Sequence, residues 1–265
     1  MKRNSMWVRG AWLLATYCMV VQAEGPEESG SLQVASFRNG ENGYAGTIDS
    51  EIWALAPTTI LEDNPNASTD ADNDGGESQV VMRFDQIIGD ASGQVPKFAS
   101  VRSAKLYVSA FDQGSTVNLH RMLVPFDKSA TWGSLVAGVS ADGMEAARHK
   151  DSFTFGKIAA NSSEIIFDVT DTVQGWVNGQ PNHGWVFLNT GGNGWDFYAS
   201  EFEDLKQRPR LQIEFQPIDR SDPTDLSDLS DLSDPTDPTD PTDPTDPTDP
   251  TDPTDPTDPA QAPKP

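Results

Sequence analysis

Between residues 104 and 110 the chain reads Ala104-Lys105-Leu106-Tyr107-Val108-Ser109-Ala110, apolar at every even position. A period of two sends successive side chains to opposite faces of a strand. The even positions are therefore expected to face a core, and Lys105, Tyr107 and Ser109 to face outward. The same period recurs in Val117/Leu119, in Ile165/Phe167/Val169 and in Leu211/Ile213/Phe215. Apolar runs at 48–55, 80–84, 185–188 and 195–199 bring the expected strands to about eight. Gly, Asn, Asp and Ser punctuate these runs, as turns require. The expected fold is all-β: an antiparallel β-sandwich, jelly-roll-like, spanning 32–217.

One segment departs from the strand period. Thr170-Asp171-Thr172-Val173-Gln174-Gly175-Trp176-Val177-Asn178-Gly179 begins with a capping residue type, puts Val173, Trp176 and Val177 on one helical face, and stops at Asn-Gly. It predicts a short helix opened by Thr170 as its N-cap, with Trp176 in the core.

The ends of the chain carry different compositions. Residues 1–23 have three bases, no acid and an apolar run over 11–21, closing on Val21-Gln22-Ala23, the pattern of a secretory signal peptide. The apolar run is short for a membrane span, so export without membrane insertion is expected. Cys18, the single cysteine, falls inside the signal, and bulky Tyr17 before it argues against lipid attachment. A polar lead-in occupies 24–31. From 218 to 265 the chain repeats Asp-Leu-Ser and then Asp-Pro-Thr. Proline at every third position forbids helix and ladder and favours polyproline II, giving an expected disordered acidic spacer that reaches on the order of 140 Å.

Charge narrows the partners. The chain has 41 acids against 18 bases, a net −23, and residues 221–265 hold 13 Asp and one Lys. The part between signal and tail still has 28 acids against 14 bases. Nucleic acid is not an expected partner, because its binding needs a basic footprint.

Candidate chemistry is sparse. Asp70-Ala71-Asp72-Asn73-Asp74-Gly75-Gly76-Glu77 has the alternating oxygens and glycine of a calcium loop, which makes Asp70, Asp72 and Asp74 the expected metal ligands and calcium the expected ion. The twelfth position is Val81, so this is not an EF-hand; the competing reading is an acidic turn. Gly-x-Ser-x-Gly, His-Glu-x-x-His and phosphate-loop motifs are absent, and His120, His149 and His183 are widely spaced. Among aromatics, Tyr44 and Trp195 stand in Gly- and Asn-rich surroundings and Tyr107 alternates outward, so these three are the expected ligand platforms.

A set of motifs taken together resembles a known family. Val81-Met82-Arg83-Phe84-Asp85, the Ser-Ala-x-Leu-Tyr ending at Tyr107, Thr131-Trp132, Phe167-Asp168-Val169-Thr170, Val173-Gln174-Gly175-Trp176 and Asn182-His183-Gly184-Trp185 occur in the order of the DNRLRE-type domain, classed as carbohydrate-binding module family 96. Phe197-Tyr198-Ala199-Ser200-Glu201 and Arg208-Pro209-Arg210-Leu211 are similar to its last two strands. The resemblance covers about 43–215, with Val-Met at 81–82 where the family has Leu-Leu. It implies an extracellular bacterial β-sandwich that binds acidic polysaccharide such as alginate, as the accessory of a separate lyase, hydrolase or phosphoesterase. The basic residues in matching motifs are Arg83, Lys105, Arg208 and Arg210; alternation puts Arg83 and Lys105 on a solvated face.

The expected function is thus a secreted, non-catalytic polysaccharide-binding module aided by calcium, with a catalytic or cell-surface protein as a further partner. The alternatives are a structural or adhesive surface protein using the sandwich for protein contacts, and a small lyase or hydrolase.

Overall fold

The computed structural model describes residues 31–154 and 164–218. The expected signal segment, the lead-in up to residue 30 and the repeat tail from 219 lie outside the described residues.

Among the described residues, eleven strands and one α-helix follow in chain order: β1 Gln33–Arg38, β2 Thr47–Trp53, β3 Asn66–Asn73, β4 Gly76–Phe84, β5 Ser100–Asp112, β6 Val117–Arg121, β7 Ser152–Phe153, β8 Glu164–Asp168, α1 Thr170–Val177, β9 Trp185–Asn189, β10 Trp195–Tyr198 and β11 Arg210–Gln216, with a 3-10 turn at Leu205–Gln207 before the last strand. Every pairing between these strands is antiparallel. One layer is β1–β11–β5–β8 and the other β2–β4–β9–β6–β7. β10 pairs with the end of β5 and with β3, and β3 continues into its pairing with β4, so the two layers are joined along one side. The expected all-β sandwich is the observed architecture.

Alternation explains the core. Ala104, Leu106 and Val108 of β5 are buried, together with Leu211 and Ile213 of β11 and Phe167 of β8. Against them lie Val80, Met82 and Phe84 of β4, Leu119 of β6, and Trp185 and Phe187 of β9. Phe167 and Phe187 meet edge to face at 5.5 Å between ring centres, a favoured aromatic geometry.

A second apolar cluster lies beyond the sandwich. Val81 and Val186 turn away from the main core and, with Ile52, pack under Met122, Phe126, Leu135 and Val139. The long connection after β6 therefore covers the outer face of β4, which is buried on both sides. Its apolar residues have no regular period, so the sequence pattern does not predict this layer.

All eight expected strands form. β1, β3 and β7 were not expected: β3 reads Asn-Ala-Ser-Thr-Asp-Ala-Asp-Asn, almost without strand-forming side chains, and is held by neighbours on both sides.

The helix also forms, with Val173, Trp176 and Val177 buried as expected and the Trp176 ring 4.6 Å from that of Trp185. Its start differs from expectation. Val169, not Thr170, occupies the cap position without a side-chain bond, and Thr170 is already helical. Asp168 Oδ1 accepts from the Thr170 amide at 3.1 Å, and Thr170 Oγ1 accepts from the Ala104 amide at 3.0 Å, fastening the helix to β5. Gln174 completes the fastening: its Oε1 accepts from the Val101 amide at 2.7 Å and its Nε2 donates to the Ala99 carbonyl at 3.1 Å.

Gly184 is required where β9 begins. Its φ is +73°, and a Cβ there would run into the Met82 carbonyl oxygen. Asn182 holds the turn, accepting from the Gly184 amide at 3.1 Å and donating to the Phe84 carbonyl at 2.8 Å. The Asn182-His183-Gly184-Trp185 motif thus has a structural role.

Candidate ligand-binding face

Three of the expected ligand residues come together on the outer face of β5 and its neighbours. Leu106, Leu211, Phe37 and Phe167 form one inward-facing row across the four strands, so the rows on either side face outward. One outward row is Ser36, Gln212, Lys105 and Asp168; the other is Arg38, Arg210, Tyr107 and Ile166. Arg38 and Ile166 join this face through register alone, which no single-strand pattern reveals.

Electrostatics on the face are mixed. The Arg210 guanidinium lies 3.8 Å above the Tyr107 ring centre, a cation–π contact, and donates to Gln212 Oε1 at 2.5 Å. Glu164 lies 3.7 Å from Arg210, and Glu41 lies 3.5 Å from Arg38. Lys105 has no ion pair among the described residues. Ile166 is 49% exposed. Tyr107 is therefore not an open platform as expected; one face of its ring is covered by the Arg210 guanidinium, which it holds against the sheet.

The other expected ligand residues are corrected. Trp195 is fully buried, with its ring 6.4 Å from Phe167, so it offers no face to a ligand. Tyr44 packs on Phe37 at 5.3 Å and donates to the Asp85 carbonyl at 3.0 Å. Burial, then the Asp85 charge, pushes its phenol pKa up, so it remains a neutral donor. Arg83 does not lie on a solvated face, because the outer side of β4 is covered. Its guanidinium pairs with Asp85 at 2.6 and 3.1 Å, donates to the Phe126 carbonyl at 2.5 Å and lies 5.0 Å over the Phe126 ring. Arg208 donates to the carbonyls of Phe202 at 2.6 Å and Asn39 at 3.1 Å, joining two connections of the fold.

The expected calcium loop is a hairpin. Asp74 and Gly75 adopt φ of +54° and +89° between β3 and β4, the two-residue turn that an Asp-Gly pair favours. Asp70 and Asp72 lie on β3, and Asp70 Oδ1 accepts from the Asp72 amide at 3.0 Å. Among the described residues no group of three or more acidic, His or Cys side chains is arranged to hold a metal. Asp70, Asp72 and Asp74 do not fit a calcium site of their own.

Two acids that the sequence did not single out lie along β2, Asp49 buried and Glu51 half-buried. Asp49 is 4% exposed and accepts from the Ser200 amide at 3.0 Å, and Glu51 accepts from the Ser68 amide at 3.0 Å. Burial, then the neighbouring Glu201 charge, pushes the Asp49 carboxyl well above its ordinary range. Burial, with Asp196 adding a smaller push and the Ser68 amide opposing both, raises Glu51 to about 7.

Among the described residues, no helix is long and apolar enough to cross a membrane. No protein-family model matches the chain, and no curated protein matches it.

Proposed function

We propose that the chain is a secreted, non-catalytic polysaccharide-binding protein of the DNRLRE type that takes an acidic glycan such as alginate on the outer face of β5 and β11. The observation that carries this reading is the convergence of Lys105, Arg210 and Arg38 around Tyr107. A planar guanidinium matches a sugar carboxylate in a two-bonded fork, and stacking on Tyr107 holds that fork in place before the ligand arrives. Ile166 adds apolar surface beside it. Glu41 and Glu164 compete for the same guanidinium groups, so binding is weak and sensitive to salt.

Affinity electrophoresis of the mature chain through alginate gels tests the reading. Retardation is expected at about 0.05 M salt and its loss at about 0.5 M. EDTA is expected to leave the retardation unchanged, because the three aspartates of the β3–β4 hairpin do not converge. Unchanged mobility on alginate and other polyuronates at low salt removes the reading.

A protein-contact reading draws on a different observation. Leu32, just before the edge strand β1, and Val34, near its start, are 56% and 60% exposed. Capture of one specific protein without glycan retention would select it.

A further inference from the structure

Phe111 is the residue left over in the pairing of β5 with β10. Ala110 stands opposite Phe197 and Asp112 opposite Asp196, so Phe111 is the extra residue of a β-bulge. Bulges re-aim side chains, and this one leaves Phe111 48% exposed at the surface. Its ring rests against Tyr198, with centres 4.8 Å apart, and Tyr198 rests on Phe202 at 3.9 Å. The outermost ring of a three-ring stack is thus braced from behind, with its free side toward water.

Two acids adjoin Phe111 in the strand register: Asp112 follows it on β5, and Asp196 stands opposite Asp112 on β10. Asp112 and Asp196 face each other across the two strands, and neither has a cation partner among the described residues. Like charges placed opposite one another cost stability, so the pair is an expense that packing alone does not explain. An apolar ring beside two carboxylate acceptors matches a pyranose, which presents a C–H face and hydroxyl donors together. Hydrogen bonds from hydroxyls to carboxylates are charge-assisted and strong. The same carboxylates repel a uronate, so the matching sugar is uncharged.

We propose that Phe111, braced by Tyr198 and Phe202, is a stacking site for a neutral sugar ring whose hydroxyls donate to Asp112 and Asp196. The site lies on the strand that carries Tyr107, four residues and about 13 Å further along, so one glycan strand reaches both. This inference rests on the polysaccharide reading, and the experiment separates the two.

The mature chain is run through gels containing xylan, mannan or a neutral β-glucan, with alginate gels alongside. The wild type is expected to be retarded by at least one neutral polymer. Phe111→Ala is expected to weaken that retardation at least tenfold while leaving retardation by alginate unchanged, with a melting curve showing that the variant is folded and only modestly destabilised by the lost contact with Tyr198. The double variant Asp112→Asn/Asp196→Asn is expected to weaken it as well, and to melt at a higher temperature because the repulsion is gone. Retardation by alginate alone, or neutral-polymer retardation indifferent to both variants, overturns this site and leaves the polysaccharide reading standing. Unchanged mobility on every polymer overturns both.

Discussion

Trp195→Ala is expected to cost about 3–5 kcal/mol of unfolding free energy, the range for removing a large aromatic from a packed core. Trp195 has no exposed surface and lies in the main core beside Phe167, with Thr69 directly across the strand pair. Its truncation opens a cavity where the β10–β3 link joins the layers. Urea unfolding measures the loss, and at low temperature the fraction that remains folded is expected to be retarded by alginate as the wild type is. Wild-type stability combined with lost retardation would return Trp195 to the role of ligand platform.

The second large effect is on pH dependence. Acidification from pH 8 to pH 5 is expected to stabilise the folded sandwich through Asp49 and Glu51. Both carboxyls have folded-state pKa values raised above the unfolded ones, chiefly by burial. The folded state therefore holds their protons more tightly. The stability linked to each is fully present below its unfolded pKa and is lost as pH rises through its folded pKa, about 7 for Glu51. Across that window the two groups together account for on the order of 3 kcal/mol.

Other groups act in the opposite direction. His183, whose pKa is lowered first by desolvation and then by Arg83, offsets a small part of the gain near pH 6. Asp127 is lowered chiefly by the Ser129 hydroxyl and Asp204 by the Lys206 amide; both lose their contribution only below the usual carboxylate range. Denaturant midpoints at pH 5, 6, 7 and 8 measure the slope for the wild type and for Asp49→Asn/Glu51→Gln. The variant is expected to flatten it; a wild-type midpoint that rises with pH would contradict the assignment.

The strands that sequence alone located are those whose apolar residues alternate or run together, because burial on one or both faces imposes those patterns. β3 escaped because its polar side chains carry no period, and its strand character comes from the partners β10 and β4. The Asp74-Gly75 pair was legible as a hairpin turn, and the oxygen-rich residues before it pointed instead to a cation.

The ligand face was half legible. Alternation placed Lys105 and Tyr107 outward, and the same period on β11 places Arg210 beside them. Arg83 obeyed the same alternation, yet its side is covered by the connection after β6, an event between distant segments. For Trp195 the signal was present in its alternation with Phe197 and Ala199, all buried, and the glycines before it concealed that signal. Arg38 and Ile166 depend on cross-strand register, and Phe111 depends on a bulge, neither of which is written in one strand.

The Lys105–Arg210 face is expected to bind an acidic polysaccharide. The most direct test compares the mature wild type with Lys105→Ala/Arg210→Ala in alginate gels at low salt, with melting curves for both. Retardation of the wild type and at least tenfold weaker retardation of a folded variant are expected, with a modest fall in melting temperature because Arg210 no longer packs on Tyr107. A folded variant retarded as strongly as the wild type would contradict this expectation.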